Sequence, residues 1–281
     1  MKMGLVQLEV SPYASLEKNR EAQQSLVRQV FSAGANLVVL PECASHKYAM
    51  RTLQEVEDWV EPIDGPTVRL WESWAREHQG YIVGGILECA PEGLFNTAVM
   101  VGPNGYAGRY RKMHRFGWER AWLNVGDGLT VWRIRSLNLT LGVLICYDLR
   151  FGYTVSALAD AGAEVVAVPT TWTSVGKRLL WDASGYAPQN HLVLGHAYAH
   201  RVYMVCADRV GREEDITYLG ASIGAGPEGE ALLGPLSGSH PGYGVIDIDV
   251  ERARQKRVGQ SDLRRDRRWS ADIPVTELTV E

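Results

Sequence analysis

Short hydrophobic runs alternate with amphipathic stretches along the chain, which predicts β-strands alternating with α-helices. Residues 3–10 and 36–40 are mostly apolar and short, as buried strands are. Between them, residues 15–35 carry apolar side chains at helical spacing, and residues 66–80 follow a second helical pattern. The order strand, helix, strand, helix predicts an α/β fold.

The ends of both predicted helices carry residues that favour a start or a stop. Ser15 is suited to cap the first helix and Gly34 to end it. Pro66 fits the first turn of the second helix, and Gly80 fits its end. The apolar face of the first helix consists of Leu16, Leu26, Val30 and Phe31.

The pattern continues through the rest of the chain. Residues 81–89 and 95–102 predict a hairpin across residues 91–93. The run 139–146 predicts a buried strand, and a helix is expected around 151–161. The remaining predicted elements are a helix over 185–201 and strands over 203–207, 218–223, 230–233 and 243–250.

Two segments far apart in the chain share one pattern. AGANLVVLPE (33–42) and AGAEVVAVPT (161–170) each contain a glycine at a helix end, a β-branched strand and a proline. One interpretation is a common helix-to-strand turn. The other is a sandwich of two similar halves, in which the first copy carries the carboxylate of Glu42 where the second has Thr170.

Length and composition favour one globular domain over 1–281, with 251–281 as a C-terminal helix and extended arm. Hydrophobic residues make up 46% of the chain and charged residues 22%, an ordinary balance for a globular protein. The net charge of −4 argues against nucleic-acid partners, and no apolar run approaches the roughly 20 residues of a membrane helix. Four cysteines without CxxC spacing, and an N-terminus that reads as a strand, favour a cytoplasmic location.

Three residues, two of them at the ends of predicted strands, suggest nucleophilic chemistry. Cys146 ends a buried strand, and a cysteine is a good nucleophile once ionised. Glu42 is placed to act as a general base, and Lys112 to stabilise an oxyanion together with the backbone N–H of Tyr147. Taken singly, each has an ordinary interpretation as a buried cysteine, a surface glutamate or a solvated lysine.

The motifs around these residues resemble those of the nitrilase superfamily, the carbon–nitrogen hydrolases. They are LVVLPE (37–42), YRKMH (110–114) and GVLICYDLRF (142–151). The resemblance implies a catalytic triad of Glu42, Lys112 and Cys146, and a positioning role for Glu119. It also implies an α/β fold of the nitrilase type, a four-layer αββα sandwich with pseudo-symmetric halves, and a homodimer.

The residues after the thiol distinguish branches of this superfamily. CYDLRF (146–151) resembles the amidase branch, including ω-amidase and deaminated-glutathione amidase, whereas nitrile-cleaving members typically have Trp-Glu there. The resemblance therefore implies hydrolysis of a small amide to a carboxylic acid and ammonia through a cysteine thioester. The alternatives are an N-carbamoyl amino acid or amine amidohydrolase, a nitrilase and, in another class, a non-catalytic interaction protein.

The chain also departs from the family pattern near the expected pocket. Gly152 and Tyr153 follow where Pro-Glu is common, Thr171 stands at a frequent Asn, and Asp208 stands at a second common Asn. These departures concern the substrate and leave the triad intact.

Four side chains are candidate substrate contacts: Trp118, Arg150, Trp172 and Trp181. The other interpretation is that the tryptophans fill the core and that Arg150 forms a structural ion pair. His196 and His200 have a metal-ligand spacing, but the glutamate of an HExxH motif is missing. No nucleotide-binding glycine motif occurs, so neither a metal nor a cofactor is expected.

Overall fold

The computed structural model describes residues 1–9, 16–174, 181–255, 257–258, 261–266, 268 and 273–281. The predicted cap Ser15 lies outside these residues. Within them, the helices are α1 (Leu16–Ser32), α2 (Leu53–Glu57), α3 (Pro66–His78), α4 (Glu119–Trp122), α5 (Gly152–Asp160), α6 (Pro188–His200), α7 (Val250–Arg254) and α8 (Leu263–Asp266).

The strands of the described residues are mostly those that the hydrophobic runs predict. They are β1 (Lys2–Glu9), β2 (Leu37–Val39), β3 (Tyr81–Ala90), β4 (Gly93–Gly102), β5 (Gly105–Arg111), β6 (Leu129–Ile134), β7 (Leu139–Val143), β8 (Val165–Pro169), β9 (Tyr203–Ala207), β10 (Arg209–Val210), β11 (Arg212–Glu213), β12 (Ile216–Thr217), β13 (Ile223–Ala225), β14 (Ala231–Leu233), β15 (Gly242–Asp247), β16 (Arg257–Val258), β17 (Ser261–Asp262) and β18 (Val275–Val280).

Most of these strands form two large sheets, each seven-stranded within the described residues. The first has the order β10-β1-β2-β3-β4-β5, with β15 also paired to β1. The second has the order β14-β13-β9-β8-β7-β6-β18. The two sheets pack face to face, since β1, β2 and β3 contact β8 and β9.

Alternating side chains of β1 show how the layers are built. Met3 and Leu5 point into the core between the two sheets, whereas Val6 and Leu8 join a second core under α1 and α3. This is the period-two alternation of a strand that is covered on both faces.

The outer face of the second sheet is covered by α5 and α6, which contact β6, β9 and β13. Their buried residues include Val155 and Leu158 from α5 and Val193 from α6. The layers therefore run helix, sheet, sheet, helix, and the predicted four-layer αββα sandwich is confirmed.

The two sheets also repeat one another. Three neighbouring parallel strands, β1-β2-β3 in one sheet and β7-β8-β9 in the other, are flanked on both sides by antiparallel strands. Gly34 (φ 90°) lies two residues after α1, and Gly162 (φ 92°) lies two residues after α5. In each case the next residue donates a hydrogen bond five residues back, the pattern of a Schellman motif. The shared sequence pattern thus marks two similar halves.

Replacing Gly162 with alanine is expected to lower the free energy of unfolding by about 1 kcal/mol, because a non-glycine residue disfavours a positive φ. A Cβ atom at Gly162 would meet no atom of the described residues within 4 Å, so the cost comes from the backbone alone. Gly195, within α6 and equally open, is the matched control. Gly195→Ala is expected to raise stability by about 0.5–1 kcal/mol. Urea denaturation would contradict this interpretation if both variants shifted in the same direction.

Some elements differ from the expectations. The strand predicted over 218–223 is wrong for most of its length, since only β13 begins there, at Ile223. Tyr218 and Leu219 are buried but pack beside the site, with Leu219 N–H bonded to the carbonyl of Trp172. These residues are buried without forming a strand, so their apolar pattern was wrongly interpreted as one.

The sequence did not predict the strands β5, β6, β10, β11, β12, β16, β17 and β18. In the C-terminal region, α7 is followed within the described residues by β16, β17, α8 and β18, and β18 pairs in parallel with β6 along Leu129–Ile134. The single-domain boundary stays a prediction. Among the described residues, no helix is both long and apolar enough to cross a bilayer.

Candidate active site

The site lies where the two halves of the sandwich meet. Glu42 follows β2 and Thr170 follows β8, and the backbone N–H of Glu42 donates to the carbonyl of Thr170 at 3.3 Å. Cys146 follows β7, the neighbour of β8. β2 belongs to the first sheet and β7 and β8 to the second, so the packing of the two sheets brings together residues that are more than one hundred positions apart.

Glu42 is completely buried and held by three donors. Its Oε1 accepts from Lys112 Nζ at 2.7 Å and from Asn96 Nδ2 at 2.7 Å. Its Oε2 accepts from the hydroxyl of Thr171. The carboxylate therefore sits between the first sheet, which supplies Asn96, and the loop after β8, which supplies Thr171.

Lys112 bridges Glu42 to a second buried carboxylate, Glu119. The Lys112 Nζ lies 2.9 Å from Glu119 Oε1, which also accepts from Asn96 Nδ2 at 2.8 Å and from the hydroxyl of Tyr48 at 3.3 Å. The backbone N–H of Lys112 donates to the carbonyl of Asn96 at 2.9 Å, which extends the β4–β5 pairing by one residue. Strand pairing thus fixes the lysine opposite the asparagine.

The charges in this cluster shift one another's pKa values. Burial alone would raise the pKa of Glu42, but the ammonium of Lys112 and the hydrogen bonds to Glu42 outweigh it and lower that pKa. Burial and the charge of Glu42 leave the pKa of Glu119 raised. Burial opposes the charge on Lys112, yet the two carboxylates raise its pKa well above the ordinary value. The resting cluster therefore contains an ionised Glu42 beside an ammonium.

Cys146 occupies a sharp turn at the end of β7. Its φ of 45° lies in the left-handed region, where a non-glycine residue is strained by about 1–3 kcal/mol. A 3-10 turn, Cys146–Arg150, begins at this residue. A strained turn that exposes a nucleophile at a strand end is the arrangement of a nucleophile elbow.

The buried carboxylate of Asp148 ties this elbow to the segment that carries Lys112. It accepts from the N–H of Ile145 at 3.1 Å, from the hydroxyl of Tyr110 at 2.7 Å and from the N–H of His114 at 2.9 Å. From the other side, a ring nitrogen of His196 lies 2.9 Å from the carbonyl of Leu149. The elbow is therefore held at both ends.

The thiol of Cys146 is protonated at rest. Burial raises its pKa well above the ordinary value, and the charge of Glu42 raises it further. The ammonium of Lys112 and a hydrogen bond from the backbone N–H of Thr171 oppose this. A neutral thiol next to an ionised carboxylate suits deprotonation during attack rather than a preformed thiolate.

Cys146 opens on a cavity of about 370 Å³. Its side chain is 9% exposed, whereas those of Glu42 and Lys112 are 0% and 1% exposed, so the thiol is the member of this group that solutes reach. The described lining consists of Phe116, Cys146, Tyr147, Leu149, Arg150, Thr171, Trp172, Thr173, Ser174, Gln189 and Leu192.

The predicted substrate contacts divide between two places. Arg150 and Trp172 lie in the lining of the cavity, as does Tyr147. Trp118 packs against Tyr48 and Trp122 in a separate cluster, and Trp181 packs at the edge of the main core. Neither of these two tryptophans belongs to the described lining.

Several contacts were not singled out from the sequence: Tyr48, Asn96, Asp148 and the hydroxyl of Thr171. Asn96 lies on β4, opposite Lys112, and its contacts follow from strand pairing that the sequence alone does not give. His196 bonds to the elbow, and its ring stacks on that of His200 at 5.9 Å. Among the described residues, no group of three or more His, Cys, Asp or Glu side chains is placed to hold a metal ion.

Comparison with known proteins agrees with this geometry. The model of the carbon-nitrogen hydrolase family matches residues 2–258. The chain belongs to the carbon–nitrogen hydrolase family. This hydrolase is 34% identical over 255 residues to a nitrilase of Pyrococcus abyssi, covering 90% of this chain and 92% of the relative. It is 27% identical over 269 residues to the omega-amidase NIT2 of Bos taurus, covering 91% of each.

Solved structures share the fold of this hydrolase. A carbon-nitrogen hydrolase from Helicobacter pylori G27 aligns with a TM-score of 0.82 at 24% identity, covering 95% of each chain. An amidase from Nesterenkonia sp. aligns with a TM-score of 0.72 at 22% identity, covering 92% of this chain and 93% of that one. The predicted nitrilase-type fold is therefore confirmed.

Proposed function

We propose that this hydrolase cleaves the amide of a small carboxylic acid, releasing ammonia and the acid through a thioester on Cys146. The observation that carries the proposal is the buried Glu42–Lys112 pair, electrostatically coupled to a thiol that opens on a cavity. One acid–base group, one cation and one nucleophile are what amide cleavage by a thiol requires.

The proposed reaction has two halves. The sulfur of Cys146 attacks the carbonyl carbon as its proton passes to Glu42, and a C–S bond forms. Glu42 then returns that proton to the leaving nitrogen, the C–N bond breaks, and ammonia departs. Water next attacks the thioester while Glu42 takes one of its protons. The C–S bond breaks, the sulfur regains a proton, and the acid is released.

Lys112 is placed to stabilise the oxyanion of both tetrahedral intermediates. Its pKa is raised, so it keeps its positive charge throughout the neutral range. Tyr147 follows Cys146 in the first turn of the 3-10 segment, where backbone N–H groups have no partner within the turn. We assign its N–H as the second oxyanion donor, and Glu119 as the group that positions Lys112.

The cavity lining favours an acyl group with an apolar middle and a polar end. Trp172, Phe116 and Leu192 supply apolar walls. Arg150, on the elbow, is exposed in the cavity and suited to bind a carboxylate. The Oε1 atom of Gln189 is buried, has no hydrogen-bond partner in the described part of the chain and is available to an N–H group.

Relatives support both the leading proposal and one rival. The omega-amidase NIT2 of Bos taurus and an (R)-stereoselective amidase of Pseudomonas sp, 29% identical over 222 residues, support an amide substrate. The Pyrococcus abyssi relative, at 34% identity, is named nitrilase and favours a nitrile as the second candidate. A cytoplasmic location and a homodimer stay predictions.

A matched substrate panel tests the proposal. The half-amide of succinic acid is compared with butyramide, which has the same carbon count and lacks the carboxylate. The corresponding nitriles and N-carbamoyl acids complete the panel. Ammonia release from the amides, without carbon dioxide, is the expected result. Nitriles hydrolysed with amides untouched would establish the rival, and carbon dioxide released with ammonia would establish a carbamoyl substrate.

Arg150→Met separates the carboxylate contact from catalysis. The variant is expected to raise KM for the half-amide by about tenfold or more while changing kcat/KM for butyramide little, because only the first substrate loses a charged partner. An equal loss with both substrates would show that Arg150 has a structural role instead.

A further inference from the structure

Asp208 is a buried carboxyl group next to the active site that the proposed reaction does not use. It follows β9, at the position that neighbours Thr170 in the parallel pair of β8 and β9. Its side chain is completely buried. Its backbone N–H donates to the hydroxyl of Ser222 at 2.8 Å, so its own position is fixed.

The carboxyl group of Asp208 holds the loop that touches both the nucleophile and the base. Its Oδ1 accepts from the backbone N–H of Trp172 at 2.8 Å. The preceding residue, Thr171, donates its hydroxyl to Glu42, and its backbone N–H acts to lower the pKa of the Cys146 thiol. A change at Asp208 therefore reaches the reacting groups through one peptide unit.

The second oxygen of this carboxyl group, Oδ2, is buried and has no hydrogen-bond partner among the described residues. An ionised carboxylate at such a place lacks part of its solvation. Burial raises the pKa of Asp208 to about 7, although the N–H groups of Trp172 and Arg209 and the hydroxyl of Thr170 act to lower that pKa. Asp208 therefore changes its charge within the physiological range.

The charged and titratable groups that face Asp208 are few. Asp208 lies between Cys206 on β9 and Arg209 on β10, and Cys146 faces it from the elbow. Arg209 forms an ion pair with Glu213, which neutralises its charge. The loop 170–172 contributes hydroxyl groups and backbone, beyond which lies Glu42. The thiol of Cys146 is thus the reacting group whose ionisation the charge of Asp208 affects.

We propose that Asp208 is a positioning residue that makes the reactivity of Cys146 pH-dependent, by fixing the Thr171–Trp172 loop and by opposing the thiolate when ionised. The proposal rests on the proposed role of Cys146 as the nucleophile. Below the pKa of Asp208 the neutral group keeps the loop in place without a charge. Above it, the negative charge adds to burial and to Glu42 in disfavouring the thiolate.

Asp208→Asn is the discriminating variant, because asparagine keeps the oxygen that accepts from Trp172 and removes the charge. The rate of alkylation of Cys146 by iodoacetamide is measured from about pH 5.5 to about pH 9, with peptide mapping to Cys146. The exposed Asp247, on β15, provides the matched control Asp247→Asn. The ratio of the variant's rate to the wild-type rate is expected to rise from about 1 to between about threefold and tenfold, with its midpoint near pH 7.

A ratio that does not change with pH, whether it is near 1 or uniformly low, would overturn the proposal, since a merely structural role predicts that result. Infrared spectroscopy of the wild type decides the question if the variant does not fold. A buried protonated carboxyl band lost near pH 7 supports the proposal, and its absence at acid pH overturns it. Alkylation needs no substrate, so failure of every amide in the panel would count against the proposed function alone.

Discussion

Replacing Cys146 with alanine is expected to abolish ammonia release, by on the order of 10⁵-fold or more, while the protein stays folded. The thiol is proposed to form the bond that replaces the C–N bond, so no other group in the cavity substitutes for it. The change removes one heavy atom beside an existing cavity, which limits the loss of packing. Steady-state ammonia release and circular dichroism measure the two effects.

Cys89 supplies the matched control for the loss of a thiol. It lies on β3, is only partly buried and takes no part in the cluster around Glu42. Cys89→Ala is expected to keep full turnover. Measurable turnover by Cys146→Ala, above that of a sample treated with iodoacetamide, would contradict the nucleophile assignment.

Replacing Lys112 with methionine is expected to remove both activity and stability. Loss of an oxyanion donor costs on the order of 100-fold or more in turnover. Removing the ammonium also leaves the carboxylates of Glu42 and Glu119 buried without their cation, and breaking such a buried pair costs about 3–5 kcal/mol of the free energy of unfolding. Few other single substitutions in this chain should affect both quantities so strongly.

Replacing Lys112 with methionine should also reverse the direction in which the charge of Glu42 makes stability depend on pH. In the wild type the lowered pKa of Glu42 contributes stability above its unfolded value, which is lost as the pH falls through the folded value. Without Lys112 the folded pKa of Glu42 should lie above the unfolded value, so stability should fall as pH rises above about 4.5. Urea denaturation at acid and neutral pH measures the change.

A second substitution tests the cause of that instability. Lys112→Met combined with Glu119→Gln removes one of the two unpaired carboxylates. The double variant is expected to regain part of the stability and none of the turnover. A double variant no more stable than Lys112→Met would show that packing, rather than unpaired charge, explains the loss.

Much of the fold follows from local patterns in the chain. The short apolar runs predict β1, β3 and β9 to within a residue or two, and the glycines at helix ends predict the stops of α1 and α5. The two copies of the glycine–strand–proline pattern identify the halves of the sandwich. The polar strand β5 has no such pattern, because its place is set by pairing with β4 rather than by its own burial.

The residues of the site were likewise predicted only in part from the sequence. Motif resemblance located Glu42, Lys112 and Cys146, and the structure brings the first two into contact with each other and with Glu119. Asn96 and the hydroxyl of Thr171 could not be derived from the chain, because their contacts depend on which strands neighbour one another. Contacts of this kind form only in the folded protein and leave no local pattern in the sequence.

Asp208 shows the value of a departure from a family pattern. The sequence marked it as an aspartate where asparagine is common, and the structure places it against the loop between the proposed nucleophile and base. The pocket residues Arg150 and Gln189 likewise belong to different elements, the elbow and α6. Substrate preference therefore depends on contacts between elements, and it has to be determined by substrate kinetics.

Intact-mass spectrometry of the enzyme quenched during turnover tests the central claim most directly. An amide substrate should add the mass of its acyl group, with loss of ammonia, and digestion should locate that mass on the peptide that contains Cys146. The adduct should disappear once substrate is exhausted and should never form on Cys146→Ala. Steady ammonia release from an enzyme that carries no acyl group at any time during rapid-quench sampling would contradict the thioester mechanism.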